Sequence, residues 1–284
     1  MADPRKRLEG NAPGEFFVDS SCIDCDLCRQ IAPSVFRAEG DASVVHRQPA
    51  DGPEARRAEM ALVTCPTASI GTLEKRDLDA AIAEFPERIE DDVHFCGFAS
   101  EASYGGSSYL IVRPGGNVLV DSPRFTAPLV RRIEAMGGIR WIFLTHRDDV
   151  ADHARFAKRF GSERVMHSDD ASFEVERLIE GNEIVRLADD LLVIPTPGHT
   201  AGHQVLLHRD KFLFSGDHVW WDLGRERLHA SRRYCWHSWS EQRRSMERLL
   251  EVPFEWVLPG HGARHQAPAA GMRKQLTDLI ARMG

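Results

Sequence analysis

Three cysteines separated by two residues each, Cys22, Cys25 and Cys28, and a fourth, Cys65, directly before Pro66 form the densest chemical signal in the sequence. At this spacing one loop can present three sulfurs to three irons, and a remote cysteine before proline closes the fourth corner of a 4Fe–4S cluster. Structural zinc sites usually pair two C-x2-C knuckles, which a triple run with a lone fourth cysteine fits poorly. One complete set predicts one cluster. Cys96 and Cys235 have no partner spacing and read as buried thiols.

A second set is built of histidines and aspartates. His146, Asp148, Asp149, Asp152 and His153 crowd into LTHRDDVADHARF, His199 sits in PTPGHTAGH, Asp217 in FSGD and His261 in LPGHG. Each group follows a short apolar, β-rich run, so the loops at one edge of a sheet can gather them. Neutral imidazoles and carboxylates suit zinc, iron or manganese. Two such ions would acidify a shared water, and the resulting hydroxide would be a nucleophile for hydrolysis. No G-x-S-x-G elbow offers a serine in its place.

The elements that must position these residues differ between the two ends of the chain. GEFFVDSSC reads as a strand entering the cluster loop, VVHRQP as a second strand, PEARRAEMALVTCP as a helix ending at Cys65, and ASIGTL as a last strand. The residues before them read as a short disordered arm, leaving an ordered core at about 15–71. KRDLDAAIAEF is a further helix, followed by Pro86 and an acidic connector, so a boundary near residue 85 separates 1–85 from 86–284. Beyond it strands and helices alternate. SYLIVRPGGNVLVDS is a hairpin, IRWIFLT a strand ending just before His146, and VADHARFAKRFG a helix closed by glycine. LLVIPTPG, HQVLLH, KFLFSGD and FEWVLPG are further strands, and SWSEQRRSMERLL opens with Ser238 and Glu241 at capping-box spacing. The fold class is α+β, its second part a layered domain.

Residues 15–71 resemble a single-cluster bacterial ferredoxin. That resemblance implies one electron carried at low potential by a cluster on Cys22, Cys25, Cys28 and Cys65, with Cys25 favouring four irons over three. Residues 86–284 resemble the metallo-β-lactamase superfamily, which spells its di-metal motif T-H-x-H-x-D-H. This resemblance implies an αβ/βα sandwich with the metals at one edge. Carried over, His146, His199 and the residue at the missing-histidine position hold one metal, Asp152, His153 and His261 the other, and Asp217 bridges both. Counting forward from His146 puts Asp148 at the missing position, with Asp149 the alternative, because two extra residues lie within DDV. Asp152 is also the expected proton shuttle, and Asp121 in NVLVDS supports the metal loop. Glyoxalase II-type thioesterases share the compact size and the GHT-x-G segment. Flavodiiron proteins place a glutamate where Asp148 stands, so a redox enzyme with a di-iron or mono-iron site, fed by the cluster, is the alternative to a hydrolase.

The net charge of −7 argues against a nucleic-acid binder. Residues 1–85 hold 10 Lys/Arg against 15 Asp/Glu, an acidic part that can steer a basic redox partner. No apolar run reaches spanning length, so no membrane helix is expected. The N-terminus has no apolar core behind its basic residues, which predicts a cytoplasmic protein rather than a secreted one.

Overall fold

The computed structural model describes residues 2–284. Two compact units interleave along the chain: one runs to Asn117 and adds Ser122–Ile139 and Ala151–Phe156, and the other takes Val118–Asp121, Arg140–Val150 and Ala157–Gly284.

The first unit opens with β1 (Phe16–Val18), α1 (Leu27–Ile31), β2 (Phe36–Glu39), β3 (Ala42–Val45), α2 (Pro53–Thr64) and β4 (Ile70–Thr72). β1 pairs antiparallel with β4, and β2 with β3. Pro53 and Glu54 start α2, where a missing N–H costs nothing and an acidic side chain meets the positive helix end. Cys65 caps its C-terminus in an extended conformation, as a residue before proline must be.

The N-terminal residues are not a disordered arm. Asn11, 8% exposed, donates through Nδ2 to the carbonyls of Leu8 and Val18 and accepts the N–H groups of Val18 and Val45 through Oδ1. One side chain thereby ties the N-terminal segment to β1 and β3. Asn11→Ala leaves these backbone groups short of partners, and a loss of about 2–3 kcal/mol is expected, read as a lower urea midpoint at unchanged slope.

The acidic stretch after α3 (Asp79–Ala83) is not a connector either. It forms a hairpin, β5 (Glu87–Glu90) antiparallel to β6 (Val93–Phe95), with Asp91 turning the chain at φ +48°. Val93 and Phe95 are buried while Glu87, Glu90, Asp91 and Asp92 keep their charges at or near the surface. β6 pairs in turn with β7 (Tyr109–Ile111), and α4 (Ala127–Ala135) follows in the same unit.

The second unit contains β8 (Val118–Val120), β9 (Trp141–Phe143), β10 (Glu163–His167) and β11 (Arg177–Ile179), four parallel strands in sheet order; α5 (His153–Phe160) lies between β9 and β10 in sequence. A mixed sheet follows, from β12 (Val185–Ala188), β13 (Leu191–Pro195), β14 (Gln204–His208) and β15 (Phe212–Gly216). The chain continues through a small hairpin of β16 (Trp220–Asp222) and β17 (Arg227–His229), then α6 (Trp239–Arg248), β18 (Trp256–Pro259), β19 (His265–Gln266) and α7 (Ala269–Arg282). Its order is β12-β13-β14-β15-β18-β19, with β15 and β18 parallel.

Alternating residues of this sheet, Ile194, Val205, Leu207, Leu213 and Val257, form one core with Met246 of α6 and Met272 and Leu276 of α7. Val193, Leu206, Phe214 and Leu258, of opposite parity, are buried too, so both faces are covered. Ser238 caps α6, its hydroxyl accepting the Glu241 N–H at 3.3 Å. Among the described residues no helix is long and apolar enough to cross a membrane.

Candidate metal and cluster sites

Four strand ends deliver the polar groups of the second unit: β9 leads to His146, Asp148 and Asp149, β13 to His199, β15 to Asp217, and β18 to His261. His146, Asp148 and His199 offer ligand atoms all within 4.8 Å of one another, and so do His146, Asp149 and Asp217. His199 Nε2 lies 3.6 Å from Asp148 Oδ2 and 3.7 Å from Asp217 Oδ2. His146 Nε2 lies 3.9 and 3.8 Å from the same two oxygens. These gaps are too long for hydrogen bonds. They sit near the roughly 3.4 Å that separates two ligands held about 2.1 Å from one tetrahedral ion.

Asp149 carries the strongest signature. It is 1% exposed, and neither carboxylate oxygen has a hydrogen-bond partner. Burial pushes its pKa well above the ordinary value, against the pull of His261. The Nε2 atoms of His146 and His199 are buried and unpartnered as well. Groups left this way are costly unless something binds them. A cation shared by these imidazoles and carboxylates satisfies every one, so the residues fit a metal ion. Gly260, in LPGHG, is required by the same crowding: a Cβ there would stand 2.5 Å from Asp149 Oδ2 and 2.9 Å from Asp217 Oδ1.

Asp217 is the electrostatic centre. Burial alone would raise its pKa, but His261, His146 and His199 hold it far below the usual carboxylate range. His261 Nδ1 is 2.9 Å from Asp217 Oδ1 and 3.9 Å from Asp149 Oδ2.

Outer partners fix the ligands. Asp121, at the end of β8, accepts the Thr145 N–H at 2.8 Å and the Thr145 hydroxyl at 3.0 Å, and that hydroxyl lies 2.9 Å from His146 Nδ1. With its hydrogen committed to Asp121, the hydroxyl accepts from Nδ1–H and leaves Nε2 as a bare acceptor. Asp170, after β10, accepts from Thr200 Oγ1 at 2.5 Å, Gly202 N at 2.9 Å and Arg147 N at 3.2 Å, so it pins both histidine loops. Reading the sequence for ligands passed over Thr145 and Asp170. Asp170 does follow a strand, the signal that marked the others. His203, bonded through Nδ1 to Thr196 Oγ1 at 2.8 Å, stacks on His218 and belongs to neither ligand group.

Asp152 and His153 also lie outside both groups of close ligand atoms. Asp152 Oδ2 accepts the Phe125 N–H at 2.7 Å and its Oδ1 is 3.5 Å from Arg155 Nη1, while His153 is the buried first residue of α5. At the rim, the His199 carbonyl accepts the N–H groups of Trp236 at 2.8 Å and His237 at 3.1 Å. The Trp236 ring, 57% exposed, stands 6.3 Å from that of His199 and meets Tyr234 edge-on.

In the first unit Cys22, Cys25, Cys28 and Cys65 line one pocket together with Leu27 and Ile70. Asp24 at φ +56° and Asp26 at φ +62° flank Cys25, and Ala68 at φ +53° follows Cys65. Left-handed residues set into such loops turn successive N–H groups inward, the concavity found around iron–sulfur sites. Ser43 N–H reaches Cys22 Sγ at 3.4 Å and Ser69 N–H reaches Cys65 Sγ at 3.3 Å. Burial pushes the Cys28 thiol up to about 12 and Cys25 higher still, so these sulfurs ionise only where a bound metal group offsets that cost. Sulfur count, inward donors and apolar wall fit a 4Fe–4S cluster. Gly105, at φ +84°, lays bare backbone on this site: a Cβ there would stand 2.6 Å from Cys25 Cβ and 3.0 Å from its Sγ.

Residues 18–72 match the family described as the 4Fe-4S single cluster domain of ferredoxin I. The chain is 30% identical over 116 residues to a hydroxyacylglutathione hydrolase of Acidiphilium cryptum (strain JF-5), covering 39% of this chain and 47% of that protein. It is 24% identical over 191 residues to the beta-lactamase-like protein 2 homolog of Drosophila melanogaster, covering 59% and 62%. The matches thus span about half to three fifths of these curated relatives. Among solved structures, the DIM-1 metallo-β-lactamase exposed to ceftazidime has the same fold, with a TM-score of 0.53 at 20% identity over 70% of this chain and 96% of that one.

Proposed function

The chain carries a single-cluster 4Fe–4S ferredoxin segment ahead of a domain with the metallo-β-lactamase fold, and on that premise we propose that it is a metal-dependent hydrolase of ester- or thioester-like bonds in a small-molecule substrate. The observation that carries the reading is the set of buried, unpartnered ligand atoms on His146, His199 and Asp149 around Asp217. Likeness to a hydroxyacylglutathione hydrolase favours a thioester. His146, Asp148 and His199 would hold one ion and Asp149 and His261 a second, with Asp217 between them. Asp149 takes the place that the motif spacing assigns to Asp152.

Divalent ions bound there supply an acidified water and a Lewis-acid contact for the scissile carbonyl. The chain supplies the rest. Asp121 and Thr145 hold His146 in one tautomer, and Asp170 keeps the two histidine loops in register. Asp148, whose side chain is 45% exposed, is the carboxylate of the set open to solvent and the route by which a proton leaves. Trp236 and Tyr234 offer an apolar platform beside His199 for the leaving group or the acyl chain.

A redox enzyme is the second reading, favoured by one observation: three carboxylates, Asp148, Asp149 and Asp217, stand among the donors. Such a hard set suits iron or manganese as well as zinc, and the cluster would feed it electrons. The acidic first third then offers a face to a basic redox partner. Six cysteines without a disulfide suit a reducing, cytoplasmic setting.

Metal and acid-labile sulfide analysis of anaerobically purified protein, expressed without added metal, separates the readings. About four irons, four sulfides and two zincs, with thioester turnover, is the expected result. About six irons and no turnover would move the assignment to redox chemistry. Sulfide without any further metal would sink both.

A further inference from the structure

Ser43 touches the cluster pocket twice. It lies on β3, is 1% exposed, and its N–H donates to Cys22 Sγ at 3.4 Å while its side chain lines the pocket beside Cys28. Arg29, the residue after Cys28, donates from Nη1 to the Ser43 hydroxyl at 2.8 Å and to Asp24 Oδ1 at 2.5 Å. A guanidinium has no acceptor, so this contact uses a lone pair of the hydroxyl and leaves its hydrogen to donate elsewhere. Ser43 and Cys28 line the same pocket, and hydrogen bonding from Ser43 draws the Cys28 thiol down against the effect of burial. The result is a relay from Asp24 through Arg29 and Ser43 to a ligand sulfur, with a positive charge polarising the last donor.

Hydrogen bonds to the sulfurs and net local charge both set the reduction potential of such clusters. Reduction adds one electron and no atoms, so whatever stabilises negative charge on the sulfurs favours the reduced form. We propose that Ser43, polarised by Arg29, raises the potential of the cluster held by Cys22, Cys25, Cys28 and Cys65, and that Asp24 holds this effect in check. The chemical class served is a one-electron donor weaker than the same cluster would need without this relay. This rests on the cluster assignment, which iron and sulfide counts test separately and first.

The experiment is a dithionite titration of the full-length protein and its variants, followed by electron paramagnetic resonance. Ser43→Ala, which keeps the N–H bond to Cys22, is expected to lower the midpoint by about tenfold in the reduction equilibrium, or 59 mV for one electron. Arg29→Gln should lower it as well, and the double variant should fall by less than the sum, because both act on one hydroxyl. Ser43→Thr should restore the parent value. Asp24→Asn should move the midpoint the opposite way. Unchanged midpoints for Ser43→Ala and Arg29→Gln at full cluster content would overturn the proposal. If Ser43→Ala fails to hold a cluster, Asp24→Asn decides: a rise supports the relay, and no change or a fall refutes it.

Discussion

Asp149→Asn is expected to strip the second unit of metal and abolish hydrolysis, while making the metal-free protein more stable. Its carboxylate is buried and unpartnered, so the folded chain bears its cost until a cation arrives. The folded pKa is raised well above the unfolded value of about 3.9. Its contribution to stability is therefore complete below about pH 4 and is lost as pH rises through the folded pKa. At neutral pH the asparagine removes that penalty, a gain on the order of 1–4 kcal/mol without metal. With metal the order reverses. The loss of affinity should exceed the roughly 10–100-fold that follows from removing an outer partner of a metal ligand.

Urea unfolding of chelator-treated protein and equilibrium dialysis against zinc read the two halves. Asp152→Asn is the comparison, expected to keep its metal. Should Asp152→Asn lose metal while Asp149→Asn keeps it, the ligand role returns to Asp152.

Cys28→Ala has the other large expected effect. The cluster segment is built from strands of three or four residues, a five-residue helix and the twelve-residue α2, with a core resting on side chains such as Phe16, Phe17, Val18, Leu27, Ile31 and Met60. Segments this small need a staple, and binding of a metal group then counts as folding free energy. Loss of one buried ligand should remove the visible absorbance and the acid-labile sulfide. Trypsin should then cut at Arg29, Arg37 and Arg47 faster than in the parent. Zinc in the second unit should remain. Cys96→Ala, at a buried thiol away from the ligand run, should keep its sulfide. A Cys28→Ala protein with full sulfide would defeat the cluster assignment.

What could be read from the sequence followed the range of the physics. Cysteine spacing is local and covalent, and the pocket gathers the four residues the spacing picked out. Strand ends were legible too: apolar runs closed by Gly or Pro mark where His199, Asp217 and His261 emerge, and the run WIFL marks where His146 does. The aspartates were harder. Counting from His146 names Asp148, with Asp149 the alternative, and counting back from His153 names Asp152, yet which carboxylate turns inward depends on the bends between His146 and Ala151, itself at φ +30°. Spacing holds no record of that path. Thr145 and Asn11 were silent for a related reason: each bonds groups distant in sequence, Asp121 for Thr145 and Val45 for Asn11. The hairpin of β5 and β6 was masked by its charge, since Val93 and Phe95 alone carry its burial.

Gly105 changes what the two sequence halves can be. Twenty residues past the point where composition shifts, the chain comes back to lie on Cys25. A ferredoxin module trimmed at residue 85 would be an incomplete object, its cluster open to oxygen where the backbone of Gly105 now lies. A cut at the visible seam would part Cys25 from the glycine that covers it.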